Sequence, residues 1–177
     1  MENHSFLTLE NIRMRAVEPD DALTMWEMEC DSTQWIHCGM SAPFSHHNLF
    51  EYANGYDADP FRAGQLRLVV ESSGNIAGLV DLYSISAINR TAFVGIYILP
   101  EFRMNHAAAK CLKLLEEYAL MVLNLRVLAA KIHSENFISE RLFLSAGFKQ
   151  CGLIPDWILT GGKASSLKLF YKILSNG

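Results

Sequence analysis

The sequence has no apolar run long enough to form a membrane-spanning helix, which takes about 20 residues. Its opening stretch, MENHSFLTLENIRMR, carries charges and lacks the apolar centre of a secretory leader. The expected location is cytoplasmic, with no membrane partner. There is no basic excess either: 15 Lys and Arg stand against 19 Asp and Glu, a net charge of −4. Phosphate backbones call for the opposite balance, so no nucleic-acid partner is expected. The 4 cysteines include no close CxxC pair, which argues against a disulfide framework or redox motif. Cys38 stands near His37, His46 and His47, but their spacing matches no standard zinc pattern, and no metal is expected. Only 19% of the residues are charged and 50% are apolar, a composition that folds around a core.

A length of 177 residues suits one domain, taken as residues 1–177. Alternation in Ile12–Val17 predicts a first strand. Acidic turn chemistry at Glu18-Pro19-Asp20-Asp21 leads into a helix from Ala22 to Cys30. A second helix is expected from Phe44 to Gly55, with Ser45 as a possible N-cap. Gln65–Glu71 and Ile76–Ser84 read as strands joined by the turn Ser72-Ser73-Gly74-Asn75. Thr91–Leu99 completes an antiparallel meander, and Pro100 ends it. After Arg103 comes the clearest helix, about five turns long, with an apolar stripe through Cys111, Leu112, Leu115 and Ala119. Val127–Ile132 is a short strand, expected to run parallel to the one before the helix. A helix over Glu135–Ala146 stops at Gly147. Phe148–Gly152, with a possible continuation over Ile154–Trp157, and Ser166–Ile173 supply the last strands. The fold class is α+β, with a mixed, mainly antiparallel sheet of about six to seven strands flanked by helices.

One further absence is more informative. Thr91–Leu123 reads as strand, turn and helix, a layout that aims backbone N–H groups at a phosphate. Such turns use glycine for close approach, and this one has none.

Two blocks nevertheless carry a family pattern, VGIYILPEFRMNHAAAKCLKLLEEYA and LNLRVLAAKIHSENFISERLFLSAGFKQCG. Together they resemble the GNAT acetyltransferase superfamily (GCN5-related N-acetyltransferases), and the likeness covers nearly the whole chain. VDLYSISAINRTAFVGI is similar to the branch containing spermidine and ribosomal-protein alanine acetyltransferases. The resemblance implies splayed central strands, acetyl-CoA as cosubstrate, and direct attack on the thioester by a primary amine. The acceptor would be a small molecule, a polyamine or a protein N-terminus. A homodimer is possible on the same grounds.

The resemblance also implies site residues. Ile96, Ile98 and Leu99 would pair with the pantetheine arm. Arg103, Met104, Asn105, His106, Ala107 and Ala108 would cradle the pyrophosphate, while Asn136 and Ser139 fill the family's N-x-x-S positions. The family pattern for the cradle is Arg/Gln-x-x-Gly-x-Gly/Ala, and His106 replaces its first glycine. Either the imidazole points outward or meets a phosphate and binding survives, or the cradle narrows and the protein is a catalytically degenerate binding or interaction protein. Phe143 stands where many members carry a proton-donating tyrosine. Tyr97 and His133 are candidates for proton transfer, with Asp81 and Tyr83 near the same strands. His133 reads equally as a hydrogen-bonded loop-facing residue. Trp26, Glu27 and Trp35 are candidates for the acceptor groove, and Glu27 with Glu29 could attract a cationic amine or form a solvated helix face.

Overall fold

A computed structural model of the chain describes residues 6–30, 42–103, 106–160 and 162–175. Alternation sets its strands: in β2 (Ile12–Ala16), Ile12 and Met14 are buried and Arg13 is exposed. A two-residue strand, β1 (Thr8–Leu9), pairs with β2 and was not anticipated from the sequence. Then come β3 (Gln65–Ser72), β4 (Asn75–Ser86) and β5 (Thr91–Ile98), each antiparallel to its predecessor. Ser73 and Gly74 have φ of 51° and 85°. Positive φ at both centres matches the tight turn that the right-handed twist of a hairpin favours.

The remaining strands are β6 (Val127–His133), β7 (Lys149–Thr160) and β8 (Lys163–Ile173). They complete an eight-stranded sheet in the order β1-β2-β3-β4-β5-β6-β8-β7. β5 and β6 are its one parallel pair, joined by a helical crossover as the sequence suggests. β7 runs through residues 154–157 as one strand, with shifts of register at Gln150/Gly152 and Ile154/Ile158.

The helices are α1 (Ala22–Glu29), α2 (His46–Asn54), α3 (Pro60–Ala63), α4 (Ala107–Met121) and α5 (Phe137–Ser145). Ser45 caps α2 by accepting from the Asn48 N–H at 3.0 Å. The short α3 lacks apolar periodicity, yet Asp59 caps it and Pro60 opens it. α4 has 15 residues, nearer four turns than five.

Two apolar clusters cover the two faces of the sheet. Cys111, Leu112 and Leu115 of α4 pack on Val80, Leu82 and Val94. Met25, Met28 and Leu49 of α1 and α2 pack on Val69 and Leu79. Adjacent residues Leu79 and Val80 thus serve opposite layers, the two-residue period of a strand buried on both sides. Among the described residues, no helix is long and apolar enough to cross a membrane.

Candidate active site

β5 and β6 separate soon after they meet. Their register covers Thr91↔Val127, Ala92↔Leu128 and Phe93↔Ala129, and goes no further. Beyond this, β5 remains paired with β4 as far as Gly78↔Ile98. β6 remains paired with β8 as far as His133↔Leu167. A wedge therefore opens between Val94–Ile98 and Ala130–His133. A bulge lies beside the point of divergence: register shifts between Tyr83 and Ser86, and Ser84 has φ of 51°. Bulges bend and twist the strand that carries them.

The wedge exposes backbone polarity on β5. Leu99 N–H donates to the Ala77 carbonyl at 2.8 Å, so it faces β4. Alternation turns the peptide groups of Ile98 and Ile96 the other way, toward the wedge. The peptide groups of Ile96 and Ile98 thus lie on the β5 edge that β6 leaves. Leu99 does not offer its N–H there.

Just past β5, Arg103 Nε donates to the Ile98 carbonyl at 2.9 Å, anchoring the turn with part of its guanidinium fork. Met104 and Asn105 lie outside the described residues. His106 is the N-cap of α4, with φ 59° and ψ 29°. The missing glycine has therefore not changed the backbone class: histidine adopts the left-handed conformation that glycine favours. Its side chain is exposed and makes no capping bond. The Lys110 N–H closes on the His106 carbonyl at 3.0 Å. The N–H groups of Ala107, Ala108 and Ala109 precede that first helical bond, and their side chains are only methyls. Unpaired N–H groups at a helix start favour a negative charge, and small side chains leave them approachable.

Asn136 caps α5, its Oδ1 accepting from the Ser139 N–H at 3.1 Å. The N-x-x-S pair is thus in the first instance a helix cap, with the Asn136 NH2 group outside that bond. Phe143 is buried and meets Phe148 edge-on at 4.9 Å.

His133 is buried at the end of β6. Its Nδ1 accepts from the Glu135 N–H at 3.1 Å, and its Nε2 lies 2.8 Å from Ser165 Oγ. A nitrogen accepting from a peptide N–H carries no proton, so the neutral ring donates from Nε2 to Ser165. Nδ1 thus holds the turn into α5, and Nε2 ties the end of β6 to β8. Tyr97 is half-buried against the α1–α2 cluster. Trp26 Nε1 donates to the Phe44 carbonyl at 3.0 Å, and its ring meets His46 at 4.4 Å, so it ties α1 to the segment before α2. Glu27 is exposed on α1. Trp35 lies outside the described residues.

Asp81 and Tyr83 stand on β4, paired with Gly95 and Phe93 of β5. At Gly95 a Cβ would stand 3.5 Å from Asp81 Cβ, 3.7 Å from Asp81 Oδ2 and 3.9 Å from Tyr83 Cε1. Asp81 and Tyr83 therefore flank a strand position with no side chain. Tyr83 stacks on Phe93 at 5.5 Å, and Lys131 Nζ sits 4.6 Å from the Phe93 ring centre. Behind Asp81 lies Arg67, whose Nε and Nη2 donate to Asp81 Oδ1 and Oδ2 at 2.7 and 3.0 Å. Arg67 Nη1 donates to Glu29 Oε1 at 2.8 Å. Tyr56 Oη donates to the Arg67 carbonyl and accepts from its N–H. Burial pushes the Tyr52 hydroxyl up to about 12 and raises Tyr56 and Tyr83, so these phenols stay protonated near neutrality.

A sequence model of the family described as the acetyltransferase (GNAT) domain matches residues 11–149. The chain belongs to the GNAT acetyltransferase family. Membership carries acetyl-CoA-dependent transfer to an amine, and the wedge and cradle fit that cosubstrate. The spermidine N(1)-acetyltransferase of Escherichia coli K12 is 25% identical over 160 residues, spanning 90% of this chain and 84% of the relative. A Vibrio cholerae spermidine N(1)-acetyltransferase is 29% identical over 110 residues, covering 62% and 64% of the two chains. Among solved structures, the Vibrio cholerae spermidine N-acetyltransferase in complex with CoA and spermine superposes with a TM-score of 0.85. It is 23% identical, with 94% of this chain and 97% of that one covered. A dodecameric structure of spermidine N-acetyltransferase from Vibrio cholerae gives a TM-score of 0.80 at 25% identity, covering 94% and 96%.

Proposed function

We propose that this protein acetylates one primary amine at the mouth of the β5–β6 wedge, with Asp81 receiving the amine. The observation that carries this reading is the divergence of β5 from β6 after Phe93, with Asp81 beside the bare Gly95. Acetyl-CoA supplies an activated thioester carbonyl. The chain's part is to bind, orient and move one proton. Peptide groups of Ile96 and Ile98 pair with the pantetheine arm, and Arg103 with the first turn of α4 meets the pyrophosphate. Ala107 and Ala108 keep that turn approachable, and the Asn136 NH2 group borders the arm.

The amine reacts as a neutral nucleophile, so an ammonium must lose a proton before or during attack. Asp81 is held by two bonds from Arg67, which fixes its carboxylate without a mobile side chain. It orients the incoming ammonium and takes its proton. Tyr97 and His133 support this arrangement by packing and hydrogen bonding. Phe143 contributes no proton, so the departing thiolate is protonated by solvent.

Asp81→Asn tests the assignment. Turnover, followed as released CoA thiol, should fall by about 10²-fold while acetyl-CoA affinity stays the same. An unchanged kcat/KM would remove Asp81 from the mechanism.

A further inference from the structure

Resting on the acetyl-transfer reading above, we infer that the acceptor is an amino acid. Its amine meets Asp81 and its carboxylate meets Lys131, across the bare backbone at Gly95.

The three positions form one row across the sheet. Asp81 of β4 is paired with Gly95 of β5. The last pair joining β5 to β6 is Phe93↔Ala129, and two residues further along these strands come Gly95 and Lys131. Residues two apart on a strand share a face. Lys131 Nζ lies 4.6 Å from the Phe93 ring centre, so it stands on the Phe93 face. Tyr83 stacks on the same ring, and Asp81, two residues before it on β4, shares that face too. An anion and a cation thus flank a strand position that has no side chain. Paired strands lie about 4.8 Å apart, so the backbones of Asp81 and Lys131, two strands apart and diverging, are about 10 Å apart or more. Side chains stand off the sheet, and a hydrogen bond of about 2.8 Å at each end leaves about 4 Å between them. That is the span from an amine to a carboxylate a few bonds away.

Both charged groups can take a further partner. Arg67 donates to each Asp81 oxygen, but a carboxylate accepts about four hydrogen bonds, and the Asp81 side chain is 27% exposed. Lys131 is exposed, and among the described residues no carboxylate pairs with it. The Phe93 face holds an exposed ammonium only weakly, and a carboxylate is the stronger partner. A polyamine suits this row poorly, because it would bring a second ammonium toward Lys131, where recognition needs a second anion. The transfer is unchanged in kind. A C–N bond forms as the C–S bond of the thioester breaks, the ammonium proton passes to Asp81, and CoA leaves as its thiol with a proton from solvent.

The test compares L-phenylalanine with phenethylamine, which differ only by the carboxylate, and with spermidine. One readout is kcat/KM with acetyl-CoA. The other is isothermal titration of each amine into the protein with CoA present, which needs no turnover. Phenylalanine should be preferred over phenethylamine by roughly tenfold in both, about 1.4 kcal/mol, and preferred over spermidine as well. Lys131→Met keeps the apolar stem and removes the charge. It should bring phenylalanine and phenethylamine within about threefold of each other, while Lys131→Arg should retain the preference. A wild type that takes phenethylamine or spermidine as well as phenylalanine, or a preference that Lys131→Met leaves intact, overturns the inference while acetyl transfer stands. Phenylalanine that binds with a Lys131-dependent preference but is never acetylated supports the amino-acid site and overturns the proposed function instead.

Discussion

Replacing His106 probes the anion cradle at its most unusual point. An L-residue in the left-handed region pays about 1–2 kcal/mol relative to right-handed backbone. Histidine bears this at φ 59° as the N-cap of a 15-residue helix. His106→Gly removes the steric cost but makes the unfolded chain freer by about 0.5–1 kcal/mol. The net gain is roughly 0.5–1 kcal/mol. For a domain of this size that raises Tm by about 1–4 °C. His106→Val goes the other way, because a β-branched side chain is the least tolerant of positive φ. It should cost more than about 1 kcal/mol and lower Tm by at least about 2–4 °C. The assay is thermal unfolding of the three proteins in one buffer, paired with acetyl-CoA titration. Because the imidazole is exposed and bonds to nothing in the cap, the glycine variant should bind acetyl-CoA within about threefold of wild type, under 1 kcal/mol. Valine equal to or more stable than histidine would refute the left-handed assignment. A tenfold tighter glycine variant, about 1.4 kcal/mol, would show that the imidazole obstructs the cradle.

Gly78→Ala should be among the most damaging small substitutions. Its new Cβ would stand 2.1 Å from the Tyr97 carbonyl oxygen and 2.9 Å from Ile98 Cα, so β5 must move. Overpacking of this kind costs about 1–3 kcal/mol or more, and chemical denaturation with acetyl-CoA titration should show both stability and affinity falling. Stability should also depend on acid through Asp21. Burial pushes its carboxyl up, but the bonds from Arg15 at 2.7 and 2.8 Å and from the Glu18 N–H outweigh that and hold it below the usual range. A depressed folded pKa contributes stability that is full above the ordinary carboxylate value, about 4, and lost as pH falls through the folded value. Asp21→Asn should therefore destabilise the protein by about 1.5–3 kcal/mol at pH 7, and the gap to wild type should narrow as pH falls below about 4 in urea titrations.

Local periodicity carried much of this fold to the level of sequence. The meander from Gln65 to Leu99 and the apolar stripe of α4 each follow from spacing, because one buried face imposes a period of two or near 3.6. The left-handed position was legible as a glycine that the family pattern has and His106 replaces. What escaped was long-range pairing. Glu29 read as a groove carboxylate or a solvated face, but the fold brings it to Arg67, 38 residues away in sequence. Arg67 itself drew no notice, since nothing local in QLRLVVE says that β4 will set Asp81 opposite it. His133 looked suited to proton transfer, and its Ser165 partner comes from β8, across a register that spacing does not encode. A lone glycine within a strand often marks close backbone approach, and that signal was available at Gly78.

The measurement that bears most directly on the central claim is isothermal titration of the wild-type protein with acetyl-CoA. A wedge with a correctly formed cradle should bind one equivalent, with a dissociation constant between about 1 μM and 1 mM, the range of working cosubstrate sites. Absence of binding at millimolar acetyl-CoA would mean that the wedge and the turn at His106 keep the family's shape without its cosubstrate.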